Sequence, residues 1–110
     1  MTRYLHQFSY STESVKAMAA KPQDRRKAAE KLFSAGGGKL IDMYFCFGEY
    51  DGIAISEFPS NVSAAAVSMT LGASGAFSRS HTTVLLTMDQ AIKAMRKASK
   101  VAGGYKPPAG

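Results

Sequence analysis

The sequence predicts an α+β domain with strands and helices in the order β-α-β-β-α-β and one further helix at the C-terminal end. Two observations lead to this. Apolar residues switch several times between alternating and helical spacing. Glycine or proline punctuates the switches, at Gly36-Gly37-Gly38, Gly48, Gly52, Pro59 and Gly75. The chain has 110 residues, which fits a single hydrophobic core.

Arg3 to Tyr10 reads as the first strand, with Tyr4, His6, Phe8 and Tyr10 on one side. Ser11 and Thr12 are helix starters, and Val15, Met18 and Ala19 follow at helical spacing. Pro22 interrupts, so a short first helix and a restart are expected. The restart, Pro22 to Ala35, carries an apolar stripe of Ala28, Ala29, Leu32 and Phe33, with Arg25, Arg26, Lys27 and Lys31 away from it. The Gly36-Gly37-Gly38 run ends it.

Lys39 to Phe47 alternates as a second strand, placing Ile41, Met43, Phe45 and Phe47 opposite Leu40, Asp42, Tyr44 and Cys46. A Gly-bearing turn leads to a third strand from about Tyr50 to Phe58, so the pair reads as a hairpin. At least one of Gly48 and Gly52 is expected to have a positive φ. Pro59-Ser60-Asn61 opens a small-residue helix, apolar on several sides and so expected to be well buried. Phe77 to Leu86 is the fourth strand. Thr87 to Gln90 has capping-box spacing, and the last helix should turn Ala91, Ile92, Ala94, Met95 and Ala98 inward. The domain is placed at residues 1–102, with 103–110 as a flexible tail.

This order folds into a four-stranded antiparallel, ferredoxin-like sheet with helices on one face. Apolar side chains on both faces of the second strand demand a second cover. A second copy is the simplest, so a homodimer is expected.

Composition removes several functions. No apolar run approaches the roughly 20 residues of a membrane span. The N-terminal segment lacks a signal-peptide core, and one cysteine, Cys46, allows no intrachain disulfide. A cytoplasmic location is the expectation, with no membrane partner. The net charge of +6 reads as solvated helix faces, because the basic residues are not interleaved with stacking aromatics. No nucleic-acid partner is expected.

Gly36 to Leu40, then Phe47-Gly48-Glu49-Tyr50-Asp51-Gly52-Ile53-Ala54, then Pro59-Ser60-Asn61, resemble the GYD-domain family. The stretch from Gly75 through Arg79 to Thr82 is similar too, with one inserted residue. The resemblance covers roughly residues 4 to 98. It implies a ferredoxin-like fold, membership among dimeric α+β barrels, and kinship with small, mostly bacterial proteins of unassigned function. It carries no catalytic residues to transfer.

Six residues are candidates for ligand binding. Glu49 and Asp51 place two carboxylates at one strand junction, where differing environments divide acid from base roles. Gly48 and Gly52 also suit a purely structural turn, with Asp51 bonding local backbone. His6 lies in an aromatic strand face, as base, haem ligand or core group. Arg79 and His81 alternate on the fourth strand and suit an anion or an interface. Tyr44, beside Asp42, offers a phenol to a ligand or to a dimer surface.

Two histidines and one cysteine give no zinc pattern, and no metal site is expected. No phosphate-cradling Gly loop precedes a helix, and no nucleophile elbow is visible. The third strand, Asp51 to Glu57, is acidic and aliphatic, unlike an RNA-recognition strand. Three classes remain. One is a homodimeric small-molecule binder or cofactor-independent enzyme with a pocket between sheet and helices, by analogy with dimeric barrels that include cofactorless oxygenases and isomerases. Another is a non-catalytic interaction or regulatory module. The third is a haem protein using His6 or His81. No cofactor is assigned.

Overall fold

The computed structural model describes residues 1–109. The elements are β1 (Thr2–Tyr10), α1 (Thr12–Ala20), α2 (Arg26–Ala35), β2 (Lys39–Phe45), β3 (Gly52–Phe58), α3 (Asn61–Ala73), β4 (Phe77–Leu85) and α4 (Met88–Val101), followed by a single 3-10 turn at Ala102–Gly104. The strands form one antiparallel sheet in the order β2-β3-β1-β4. This is the expected α+β, ferredoxin-like arrangement.

Strand register sorts the side chains into two faces. Rows on the helix-covered face run Leu40–Ser56–Tyr4–Val84 and Met43–Ala54–His6–Thr82. Rows on the open face run Tyr44–Ile53–Gln7–His81 and Asp42–Ile55–Leu5–Thr83. The core is Tyr4, Phe8, Tyr10, Phe33, Leu40, Ala54, Phe58, Ala64 and Val67. Tyr4 meets Phe58 edge to face at 5.8 Å, and Phe33 tilts against Phe58 at 5.6 Å. Such pairs add about 0.5–1.5 kcal/mol each beyond their burial.

The proline break behaves as expected. α1 is capped by the Ser11 hydroxyl, which accepts from the Ser14 N–H, and ends at Lys21. α2 restarts at Arg26. The strands are shorter than expected: β2 stops at Phe45 and β3 begins at Gly52.

Four expectations are corrected. The alternation along β2 is broken by an irregularity between Leu40 and Asp42. Leu40 and Met43 therefore share the covered face, and Ile41 takes up the extra residue. Neither Gly48 nor Gly52 has a positive φ; among the described residues, the glycines that do are Gly37 (φ 79) and Gly75 (φ 76). Gly52 is required for space instead, since a Cβ there would lie 2.5 Å from the Phe8 ring. α3 buries only Ala64 and Val67, leaving Val62 and Met69 exposed.

The fourth correction concerns α4. Its capping box forms, with the Thr87 hydroxyl accepting from the Gln90 N–H and the Gln90 side chain accepting from the Thr87 N–H. Its apolar stripe is not turned inward. No α4 residue is buried, and Met88, Ile92, Met95 and Val101 face solvent. The helix extends from the body, so the radius of gyration is 17.8 Å. A compact chain of this length has about 13 Å.

Candidate functional site

A cavity of about 630 Å³ opens between one end of the sheet and the α1–α2 connection. That volume lies in the usual range for small-molecule sites, roughly 300–1,000 Å³. The sheet contributes Phe8, Tyr10, Met43 and Phe45, and α1 contributes Val15, Met18 and Ala19. The break after α1 supplies the rim, Pro22 to Arg26. Because Pro22 cannot continue the first helix, the chain here is a loop rather than a packed surface.

The floor is aromatic. Tyr10 is near-parallel to Phe45 (14°, centroids 6.2 Å) and to Phe77 (25°, 5.1 Å), and Phe8 meets Tyr10 edge on at 5.6 Å. Burial raises the Tyr10 phenol above its usual range; nearby Arg25 pulls it down and Asp51 pushes it up. A smaller cavity of about 190 Å³ lies between α2 and the sheet, and Phe8, Tyr10, Arg25 and Met43 line both.

The six sequence candidates are dispersed. Asp51 lines neither cavity; its Oδ2 accepts from the N–H of the cavity residue Tyr10 at 2.9 Å. Glu49 and Arg79 meet each other: Arg79 donates to the Glu49 carbonyl, its Nη1 lies 3.8 Å from Glu49 Oε1, and its guanidinium covers the Tyr50 ring at 4.2 Å. This is an exposed latch between the β2–β3 turn and β4. His81 occupies the open sheet face, paired directly with Gln7 on β1. Tyr44 belongs to that face by register and also borders the cavity.

His6 is deeply buried and outside both cavities. Its Nε2 pairs with Ser56 Oγ at 2.6 Å and its Nδ1 with Thr82 Oγ1 at 3.2 Å. Desolvation lowers its pKa from 6.5 to about 4, so the ring is neutral near pH 7. With both nitrogens taken, the ring has none left for a metal. Ser56 is fully buried, so the Ser–His pair has no access to substrate. Among the described residues, no group of three or more His, Cys, Asp or Glu side chains is placed to hold a metal ion. Among them, no helix is long and apolar enough to cross a membrane.

Sequence reasoning missed Tyr10, Arg25, Phe45, Met18 and Met43 as cavity residues. The available signal was Pro22, whose break leaves the Arg25 end of α2 open beside an aromatic strand end.

Comparison with known proteins bears on the fold. One solved structure with a similar fold is described as the crystal structure of FFRP-DM1. It is 13% identical, with a TM-score of 0.50, over 78% of this chain and 100% of that one. Another is the hypothetical protein PHS023 from Pyrococcus horikoshii, 11% identical with a TM-score of 0.51, over 79% and 92% of the two chains. No curated protein matches. The GYD domain model matches residues 4–95, so the chain belongs to the GYD-domain family.

Proposed function

We propose that this protein binds or transforms a small molecule in the cavity beneath the α1–α2 connection, without a cofactor, and works as a homodimer. The observation that carries the first part is the cavity itself: about 630 Å³, walled by aromatic and thioether side chains, with a few polar groups at one end. Apolar walls with few, convergent polar groups characterise small-molecule sites. Ala19→Trp fills the cavity from an exposed helix position. A ligand-observed NMR fragment screen should give hits on the wild type that this variant loses. Hits that survive Ala19→Trp would place the site elsewhere.

The second reading is an interaction or regulatory module whose sheet face mediates assembly. It is favoured by the half-buried Leu5, Ile53 and Ile55 at the centre of the open face, ringed by polar residues. A second copy across this face supplies the cover an apolar patch needs. Tyr44 touches both the open face and the cavity rim, so pairing would set the partner beside the cavity mouth.

A further inference from the structure

The geometry points to a flat aromatic carboxylate as the ligand class of this cavity, an inference that rests on the small-molecule reading above. Charge at the mouth is unevenly spent. Arg26 is held by Glu30 at 2.9 Å, and Asp24 Oδ1 accepts from the Arg26 N–H at 2.8 Å. Arg25 lines both cavities, donates only to Gln23 Oε1 at 3.0 Å, and has no carboxylate within ion-pair distance among the described residues. One guanidinium is thus left to a ligand anion, and its fork of donors suits a carboxylate.

A second donor stands beside it. The Tyr4 hydroxyl donates to Asn61 Oδ1 at 2.6 Å, whereas the Tyr10 ring lines the cavity. Arg25 is close enough to influence the Tyr10 phenol. Both residues line the cavity, so together they would offer a ligand anion two points of attachment. α2 begins there as well, but the Asp24 carboxylate already accepts from its Arg26 N–H, so Arg25 rather than the helix end supplies the free positive charge.

The body of the ligand is set by the walls. Phe45 and Tyr10 are nearly parallel, and Phe45 is largely exposed, so its outer face is a free stacking surface. Met18 and Met43 pad the sides with soft sulfur. A planar ring system stacks on such a wall better than a puckered ring of the same size.

Three probes separate the components by calorimetry at neutral pH: naphthoate, naphthylmethanol (same rings, no charge) and cyclohexanecarboxylate (same charge, not flat). Naphthoate should bind wild type at least about tenfold more tightly than either control, as expected for a charge-assisted bond plus stacking. Arg25→Gln, at an exposed position, should bring naphthoate down to the level of the alcohol and leave the alcohol unchanged. Tyr10→Phe should weaken naphthoate several-fold. If the alcohol binds as well as naphthoate and Ala19→Trp abolishes both, the cavity is a site but the carboxylate inference is overturned. If cyclohexanecarboxylate matches naphthoate, the aromatic part is overturned. If no probe binds wild type, the carboxylate inference falls; if the fragment screen is also empty, the small-molecule reading falls with it.

Discussion

His6 and Ser56 face each other across β1 and β3 at 2.6 Å, and both are buried. The chain of hydroxyls and imidazole continues through Thr82 to Ser68, whose Oγ lies 3.0 Å from Thr82 Oγ1. This network lies under Phe33, whose ring centroid is 5.2 Å from that of His6. It locks three strands and α3 together and leaves no buried side-chain nitrogen or oxygen unpaired among the described residues.

His6→Ala removes the hub, opens a void and strands the fully buried Ser56 hydroxyl. The expected loss is about 3 kcal/mol. Thermal unfolding should show a large drop in Tm, while ligand response in the cavity persists wherever the protein stays folded. An unchanged Tm with lost ligand response would instead assign His6 to a binding site.

The same residue sets an acid limit. The folded ring titrates near 4 and an unfolded one near 6.5. Between those values the unfolded chain binds the extra proton, so stability rises with pH. The contribution is fully present above pH 6.5 and is lost as pH falls to 4, at a total of about 3 kcal/mol. Urea unfolding across this window should show the slope in wild type, and His6→Phe should flatten it.

Two glycines of the β2–β3 region should behave oppositely. At Gly52 a methyl group would meet the Phe8 ring, while at Gly48 nothing lies within 4 Å of the built Cβ. Gly52→Ala should destabilise by about 1–3 kcal/mol, the usual range for overpacking. Gly48→Ala should be close to neutral. Equal effects in chemical denaturation would refute the steric account.

Assembly is testable at Ile55, at the centre of the open face. Light scattering at micromolar concentration should give a dimer for wild type and a folded monomer for Ile55→Lys. A monomeric wild type would refute sheet-face pairing.

The basic residues of α2 and α4 are expected to be solvated rather than a nucleic-acid footprint. Fluorescence anisotropy should find no tight binding of duplex or single-stranded DNA at physiological salt. Tight binding with a steep salt slope would reverse this.

Much of the fold was legible because its signals are local. Alternation in β1, the Pro22 break, the Thr87–Gln90 cap and the Phe47–Gly52 turn each depend on a few neighbouring residues. The site was far less legible. Whether Leu40 shares a face with Met43 depends on an irregularity that pairing with β3 creates, and sequence alternation cannot show it. Alternation put Arg79 and His81 on one face of β4 without saying which; odd-numbered β1 residues pair with them, which places them on the face opposite His6. Tyr10 looked like one more core aromatic; its proximity to Arg25 arises only when the α1–α2 connection folds over the strand end. The burial expected of α3 and α4 failed for a related reason: helical periodicity states which face is apolar, not what covers it.

α4 has 14 residues, none of them buried, and follows β4 through Leu86 and Thr87. Helices of about 12–15 residues without tertiary packing are marginal in water, because nucleating the first turn fixes several dihedrals for one bond. Its N-terminal box offsets part of that cost, worth about 1 kcal/mol. Helix–coil cooperativity thus weighs more on this exposed helix than on the packed elements. Its helicity is coupled to whatever covers Ile92 and Met95, and docking there pays a chain-ordering cost that lowers affinity for the same apolar contact.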